Sequence, residues 1–181
     1  MSKFLVIAEK PSVAQSYAKN LSAYKREDGY LEGESCIVSW CLGHLAEYAQ
    51  PEEYDPKYEK WQFDDLPILP EAWKLKVSKD KKKQFDVLKG LMNRSDVEYL
   101  VNGCDAGREG ELIFQRVYVL AGCRKPVKRL WISSMEDAAI QKGFQTMKSE
   151  EEYKNLCMAA VCRAQADWLI GMNGTRAYTT R

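Results

Sequence analysis

Three acidic residues at the start of a predicted helix form the stretch of this sequence best suited to chemistry. Asp105, Glu109 and Glu111 fall within seven positions, beside Gly107 and Gly110. A hard divalent cation such as Mg²⁺ takes oxygen ligands and keeps several waters, so one or two carboxylates are enough to hold it. Helix capping is the ordinary alternative, because acids in a first turn favour the macrodipole. The glycines weigh against capping alone, since they allow a sharp turn or the close approach of a ligand.

A second carboxylate occupies a similar position near the start of the chain. The apolar run 4–8 predicts a strand buried on both faces, and it stops at Glu9, just before Pro11, which suits a helix start. The apolar run 99–101 likewise predicts a strand that ends ahead of Asp105. Ligands bind at the carboxyl ends of strands in open α/β sheets, so we predict that Glu9 and Asp105 lie together across the sheet. A simple helix-start acid remains the alternative for Glu9.

The only histidine, His44, also follows a predicted strand, 36–41. A lone histidine is usually structural, but its position at a strand end makes it a secondary candidate for contact with a substrate phosphate.

Strands and helices alternate along the first 148 residues. Apolar runs predict strands at 4–8, 36–41, 99–101 and 127–132, and helical spacing predicts helices after residue 11, over 79–94, from the acidic stretch to Gly122, and after Ser134. This alternation implies an α/β fold with a mostly parallel, Rossmann-like sheet flanked by helices. Prolines and aromatic residues in 51–73 predict an ordered, extended loop that is pinned by the aromatic residues and is not a helix.

After Lys148 the pattern changes to one long helix, 153–172, with an apolar stripe and no strand after it. We therefore expect residues 1–148 to form one domain and 149–181 to begin a second, helical domain. Arg163 and Asp167 are four residues apart on this helix, a spacing that allows a simple ion pair between the two side chains.

Composition excludes several other classes of protein. The 45% hydrophobic and 29% charged residues are typical of a globular chain, with no secretory signal and no apolar run of membrane-spanning length. Six cysteines without a Cys-x-x-Cys pair argue against a zinc site and favour the reducing cytoplasm. The net charge of +1 does not indicate a nucleic-acid binder, and the lysines in 79–83 are interpreted as a solvated helix face.

Six short motifs, in order along the chain, resemble the Toprim domain of type IA DNA topoisomerases, most closely the topoisomerase III branch. They are residues 9–12, 40–45, 54–58 with Trp61, 105–111, 130–134 and 163–173. The resemblance implies a Toprim fold that binds metal and phosphate over 1–148, followed over 149–181 by the first helix of a helical, DNA-binding domain. It also implies an isomerase that passes one DNA strand through a transient break in another, holding the broken end as a phosphotyrosine.

None of the ten tyrosines matches the family's nucleophile, which lies in a later domain. We therefore expect this chain to be an N-terminal fragment that cannot cut DNA alone. The implied partners are single-stranded DNA, the remaining domains of the parent protein and a helicase, with no membrane.

The resemblance also implies roles for individual residues. Glu9 would be a metal ligand or the acid that protonates the leaving 3′ oxygen, and Lys10 would stabilise charge on the phosphate. Asp105 and Glu109 match acidic metal positions, and Mg²⁺ is the expected cofactor. The candidate DNA-binding residues are His44, Arg108, Arg163, Asp167 and Arg176.

One position departs from the family pattern. Asp-x-Asp-x-Glu is common in the family, but here Gly107 replaces the middle acid. We therefore predict one weakly bound Mg²⁺, with DNA phosphate completing its shell. A Toprim-type primase or nuclease remains an alternative, as does a non-catalytic DNA-binding module that has lost its metal. The motifs at 40–45 and 163–173 favour the topoisomerase.

Overall fold

A seven-stranded sheet organises residues 2–181, the part of the chain described by this computed structural model. In chain order the strands are β1 (Lys3–Ala8), β2 (Lys25–Glu27), β3 (Tyr30–Glu32), β4 (Cys36–Trp40), β5 (Ala46–Tyr48), β6 (Leu75–Val77), β7 (Val97–Gly103), β8 (Val127–Arg129) and β9 (Lys148–Ser149). The α-helices are α1 (Pro11–Asn20), α2 (Lys82–Met92), α3 (Arg108–Leu120), α4 (Asp137–Gln145) and α5 (Lys154–Thr179).

The strand order in the large sheet is β2-β3-β4-β1-β7-β8-β9. The four central strands β4, β1, β7 and β8 are parallel, whereas the hairpin β2-β3 and the short β9 add antiparallel strands at the two sides. The predicted α/β class with a mostly parallel sheet is therefore confirmed. Strands β5 and β6 form a separate antiparallel pair that the sequence pattern did not predict.

Helices cover both faces of the large sheet because its central strands are apolar on both sides. Leu5 and Ile7 of β1 face α2 and α3, while Val6 and Ala8 face α1 and α4. Successive side chains of a strand point to opposite faces, so a continuous apolar run is the expected pattern for such a strand.

Some element boundaries differ from the prediction, and packing explains the largest difference. Helix α5 continues to Thr179, through Gly171, Gly174 and Thr175, which are weak helix formers. Tertiary contacts outweigh this weakness, since the Asn173 side chain bonds the N–H and C=O of Ile68. The sequence pattern did not predict the edge hairpin β2-β3, because its strands are largely charged and lack an apolar alternation.

Contrary to the prediction, the loop 51–73 is not extended throughout, because three short 3-10 helices, Pro51–Glu53, Pro56–Glu59 and Phe63–Asp65, lie within it. Aromatic residues fix it, because Tyr54 and Trp73 pack edge-on against Trp168 of α5. Helix α5 also packs along α3. The domain boundary at residue 148 stays a prediction. Between residues 2 and 181 there is no helix with the length and apolar character needed to cross a bilayer.

Candidate functional site

Three parallel strands end side by side and bring candidate residues together. Glu9 follows β1, His44 follows β4 and Asp105 follows β7; we call this end of the sheet the carboxyl edge. Because β1 and β7 are paired up to their last residues, the backbone N–H of Asp105 reaches Glu9 and donates to its Oε2 at 3.3 Å. Glu9 and Asp105 therefore lie together across the sheet, as predicted.

The loop after β4 adds His44 to the carboxyl edge. The N–H of Gly43, whose φ of +66° favours glycine, donates to the carbonyl of Glu9 at 3.3 Å. His44 Nε2 then lies 3.2 Å from Glu109 Oε2, and the Glu109 side chain is 67% exposed. His44 Nδ1 is buried and has no hydrogen-bond partner in the described part of the chain. In this arrangement His44 contacts an acid of the motif.

Two helices begin at the carboxyl edge. Helix α1 starts directly after Lys10, and α3 starts at Arg108, and both of these basic side chains are exposed. The first N–H groups of a helix have no partner within the helix, and its N-terminus carries partial positive charge. Together they make the edge a suitable place for a phosphate beside the carboxylates.

Gly110 is needed for the shape of this edge. A Cβ atom at Gly110 would collide with the carbonyl oxygen of Asp105, so glycine lets the first turn of α3 lie against the Asp105 turn. The close approach predicted from the glycines is here an approach of the chain to itself. Gly107 is not required by close packing, because a Cβ there would meet no atom within 4 Å. Its φ of +158° is instead a backbone conformation that favours glycine.

Glu111 does not belong to the exposed group of acids. Its side chain is completely buried, and Arg129, also completely buried, donates from Nε to Glu111 Oε1 at 2.6 Å. Two residues along a helix turn the side chain by roughly 200°, so Glu111 faces the sheet while Glu109 faces solvent. This spacing is the sequence signal that separates the two acids.

Arg129 is a residue that the sequence reasoning missed, although an arginine inside an apolar strand is a signal of a buried partner. Its guanidinium also lies 5.0 Å from the centre of the Trp131 ring, and its hydrogen bonds other than that to Glu111 all go to backbone carbonyls. Nη1 donates to the carbonyls of Asn102, Cys104 and Leu130 at 2.7 to 3.0 Å, and Nη2 donates to that of Asp105 at 2.8 Å. Arg129 thus holds the end of β7 and the turn that carries Asp105.

Glu150, which lies just before α5, is a further acid and is partly buried. Its Oε1 accepts a hydrogen bond from Asn102 Nδ2 at 3.3 Å. Burial, together with the negative charge of Glu111, raises the pKa of Glu150 to about 7. Burial and the same two acids raise the pKa of the nearby Cys157 thiol to about 11. A raised pKa is expected where carboxylates lose water and lie near one another.

The remaining candidates lie on α5. Arg163 and Asp167 are exposed and form an i,i+4 pair at 3.6 Å, which is the simple alternative noted for them. Arg176 is only 4% exposed; its Nη1 donates to the carbonyl of Tyr58 at 2.7 Å, and its guanidinium lies 5.0 Å from the centre of the Trp61 ring. The structure therefore does not place Arg176 on an exposed surface. Contact with DNA stays a prediction for all three residues.

The donor atoms at the carboxyl edge suit a hard cation held loosely. In residues 2–181 no three or more His, Cys, Asp or Glu side chains are grouped as a ready-made metal cage. The edge instead offers the Glu9 carboxylate, which accepts from the backbone of Asp105, and the exposed Asp105 side chain on that turn, while Glu109 contacts His44. This fits Mg²⁺, which is usually held by one or two carboxylates together with waters and substrate phosphates.

Several known proteins are similar to this chain in sequence or in fold. Residues 4–135 match the family described as Toprim domain. The chain is 51% identical to a DNA topoisomerase 3 of Bacillus subtilis over 181 residues, all of this chain and 25% of that protein. It is 52% identical to a DNA topoisomerase 3 of Bacillus cereus with the same coverage. Among solved structures, full-length topoisomerase I from Thermotoga maritima matches with a TM-score of 0.51 and 20% identity, over 80% of this chain and 21% of that chain.

These similarities differ in what they establish. The chain spans about a quarter of the length of the curated Bacillus relatives. The Thermotoga match has low sequence identity and supports the fold alone. The family match covers the whole sheet up to β8 and every candidate residue of the carboxyl edge. On this evidence the chain belongs to the Toprim domain family.

Proposed function

We propose that this chain is the Toprim part of a type IA DNA topoisomerase of the topoisomerase III kind, which passes single DNA strands through a transient phosphotyrosine-linked break. The observation that carries the proposal is the contact between Glu9 and the Asp105 backbone at the carboxyl edge. It brings metal-binding carboxylates and the N-termini of α1 and α3 to one place, as phosphate chemistry requires. The two relatives named DNA topoisomerase 3 support the same activity.

Glu9 and Asp105, with Glu109 once it leaves His44, would hold Mg²⁺, which supplies positive charge against the phosphate. The exposed ammonium of Lys10 and the free N–H groups at the start of α1 and α3 would bind the phosphate oxygens. Glu9 remains a candidate for two roles, metal ligand and proton donor to the leaving 3′ oxygen, since both need a carboxyl group beside the scissile bond.

The wider assignments follow from the same proposal. Single-stranded DNA would contact Arg108, Arg163 and Asp167 at exposed positions, and Arg176 would reach it only if α5 and the loop 51–73 separate. Residues 1–148 would form the Toprim domain and 149–181 the start of a helical domain. The remaining domains of the parent and a helicase are the proposed protein partners. Six free cysteines favour the reducing cytoplasm.

The direct test uses the parent protein and a negatively supercoiled plasmid. We expect relaxation that requires Mg²⁺ and stops on addition of EDTA, and we expect denaturant to trap protein covalently on a cut strand. The 181-residue chain alone should leave the plasmid intact. Cleavage by this chain alone would favour a nuclease, and nucleotide polymerisation would favour a primase. A parent that binds DNA without relaxing it would favour the non-catalytic module.

We also expect the 181-residue chain to bind one Mg²⁺ weakly, as followed by NMR shifts of the amides around Asp105. Gly107→Asp should tighten binding by about tenfold, because one more carboxylate near a divalent ion is worth on the order of 1–2 kcal/mol at an exposed site. No atom lies within 4 Å of a Cβ there, but the φ of +158° is one that residues with a side chain rarely adopt, so the turn must adjust to the substitution.

Gly107→Asn is the matched control for this experiment. Asparagine has the same size and makes the same demand on the backbone, but it lacks the charge, so its Mg²⁺ affinity should stay about tenfold below that of Gly107→Asp. Tight binding of two ions by the wild type would contradict the one-ion site.

A further inference from the structure

A buried polar cluster lies directly beneath the turn that carries Asp105. Its members are Asn102 of β7, Glu111 of α3, Arg129 of β8 and Glu150 before α5, and we call them the buried quartet. The first three are fully buried. They connect two strands of the sheet and helix α3 to the segment that leads into α5.

The quartet holds the backbone on both sides of Cys104. Arg129 binds the carbonyls of residues 102, 104 and 105, while Asn102 Oδ1 accepts from the N–H of Cys104 at 3.2 Å. With these groups fixed, the N–H of Asp105 is directed to Glu9. The relative position of the two candidate metal ligands therefore depends on a cluster that touches neither carboxylate.

Glu150 determines which way the Asn102 side chain faces. Asn102 Nδ2 lies 3.4 Å from Glu111 Oε2 and 3.3 Å from Glu150 Oε1, so the amide has acceptors for both of its hydrogens. Two carboxyl groups on the nitrogen side leave Oδ1 facing the N–H of Cys104. Without Glu150 one amide hydrogen loses its partner, and this preference for one orientation weakens.

We propose that Glu150 is a positioning residue for the carboxyl edge, which acts through Asn102 to hold the Asp105 turn in the arrangement that binds Mg²⁺. The inference rests on the proposed function of that edge. It assigns a role at the site to a residue that lies 45 positions after Asp105 and outside the part of the chain that matches the Toprim family.

The test measures Mg²⁺ affinity of the 181-residue chain by NMR titration. Glu150→Ala should weaken binding by about tenfold, the lower end of the effect of losing a residue that orients metal ligands. The amide resonances of Cys104 and Asp105 should shift before any metal is added. Glu150→Gln, whose side-chain oxygen can still accept from Asn102, should restore both the affinity and the resonances. Glu151→Ala is the matched control, because Glu151 is exposed and adjacent.

Glu150 borders a cavity of about 600 Å³ between α3 and α5, so water can replace the truncated side chain without repacking of the core. If Glu150→Ala nevertheless fails to fold, Glu150→Asp tests the same point, since a shorter side chain should also lose contact with Asn102 and weaken binding. Wild-type affinity in the Ala variant, or in Asp where Ala does not fold, would overturn the inference. So would a Gln variant as weak as Ala. A wild-type chain that binds no Mg²⁺ would refute the metal site itself.

Discussion

Replacing Arg129 by methionine should lower the free energy of unfolding by about 3–5 kcal/mol, because it leaves the Glu111 carboxylate buried without a cation. Both side chains of this pair are completely buried, so water cannot replace the lost partner without opening the core. Chemical denaturation of the 181-residue chain, followed by tryptophan fluorescence and far-UV circular dichroism, measures the change.

Arg163→Met is the matched control for this measurement. Its ion pair with Asp167 has 57% and 71% exposed side chains, and exposed pairs contribute at most about 1 kcal/mol. A loss of under about 1 kcal/mol for Arg129→Met as well would show that the buried pair contributes no more than a surface pair.

A double variant separates the two contributions of Arg129. Glu111→Met combined with Arg129→Met removes the uncompensated charge, so it should be more stable than Arg129→Met alone. It should still be less stable than the wild type, because the backbone carbonyls that bind Arg129 remain without a donor. If the double variant is no more stable than the single one, the carbonyl bonds and not the charge dominate.

The carboxyl edge could be predicted because its determinants are local in sequence. Two apolar runs end at acids, and each run is followed by helix-start residues, so Glu9 and Asp105 had to follow neighbouring parallel strands if those strands paired. The family pattern then separated the exposed acids from other charged residues. No long-range contact had to be known beyond the pairing of β1 with β7.

The buried quartet could not be predicted in the same way. Arg129 and Glu111 are 18 positions apart and Glu150 is farther still, and rules of composition place charged residues in solvent. Only the three-dimensional packing decides that these charges meet inside the protein.

Arg176 illustrates the same difficulty in the opposite direction. The residues around it, 173–181, are mostly polar, a composition typical of exposed segments, yet its guanidinium contacts Tyr58 and Trp61 of the loop 51–73. Long-range contacts of this kind determine both the length of α5 and the exposure of its side chains.

Asp105→Ala in the parent protein should reduce Mg²⁺-dependent relaxation of supercoiled DNA by at least about a hundredfold, the scale seen when a group that stabilises developing charge is removed. The substitution is specific for the carboxylate. Asp105 is exposed, and the contact with Glu9 uses its backbone N–H, which alanine retains. The variant should therefore fold normally and place Glu9 as before.

Asp86→Ala provides the control, because Asp86 is an exposed aspartate in the middle of α2 and its loss removes the same charge from the molecule. Relaxation by that variant should match the wild type. DNA binding without Mg²⁺ should also persist in Asp105→Ala, because Lys10 and Arg108 still provide positive charge at the carboxyl edge. Together these results would place Asp105 in the chemical step and not in folding or general attraction for DNA. Unchanged relaxation by Asp105→Ala would leave the acidic motif with a structural role only, and the non-catalytic alternative would then account better for Gly107.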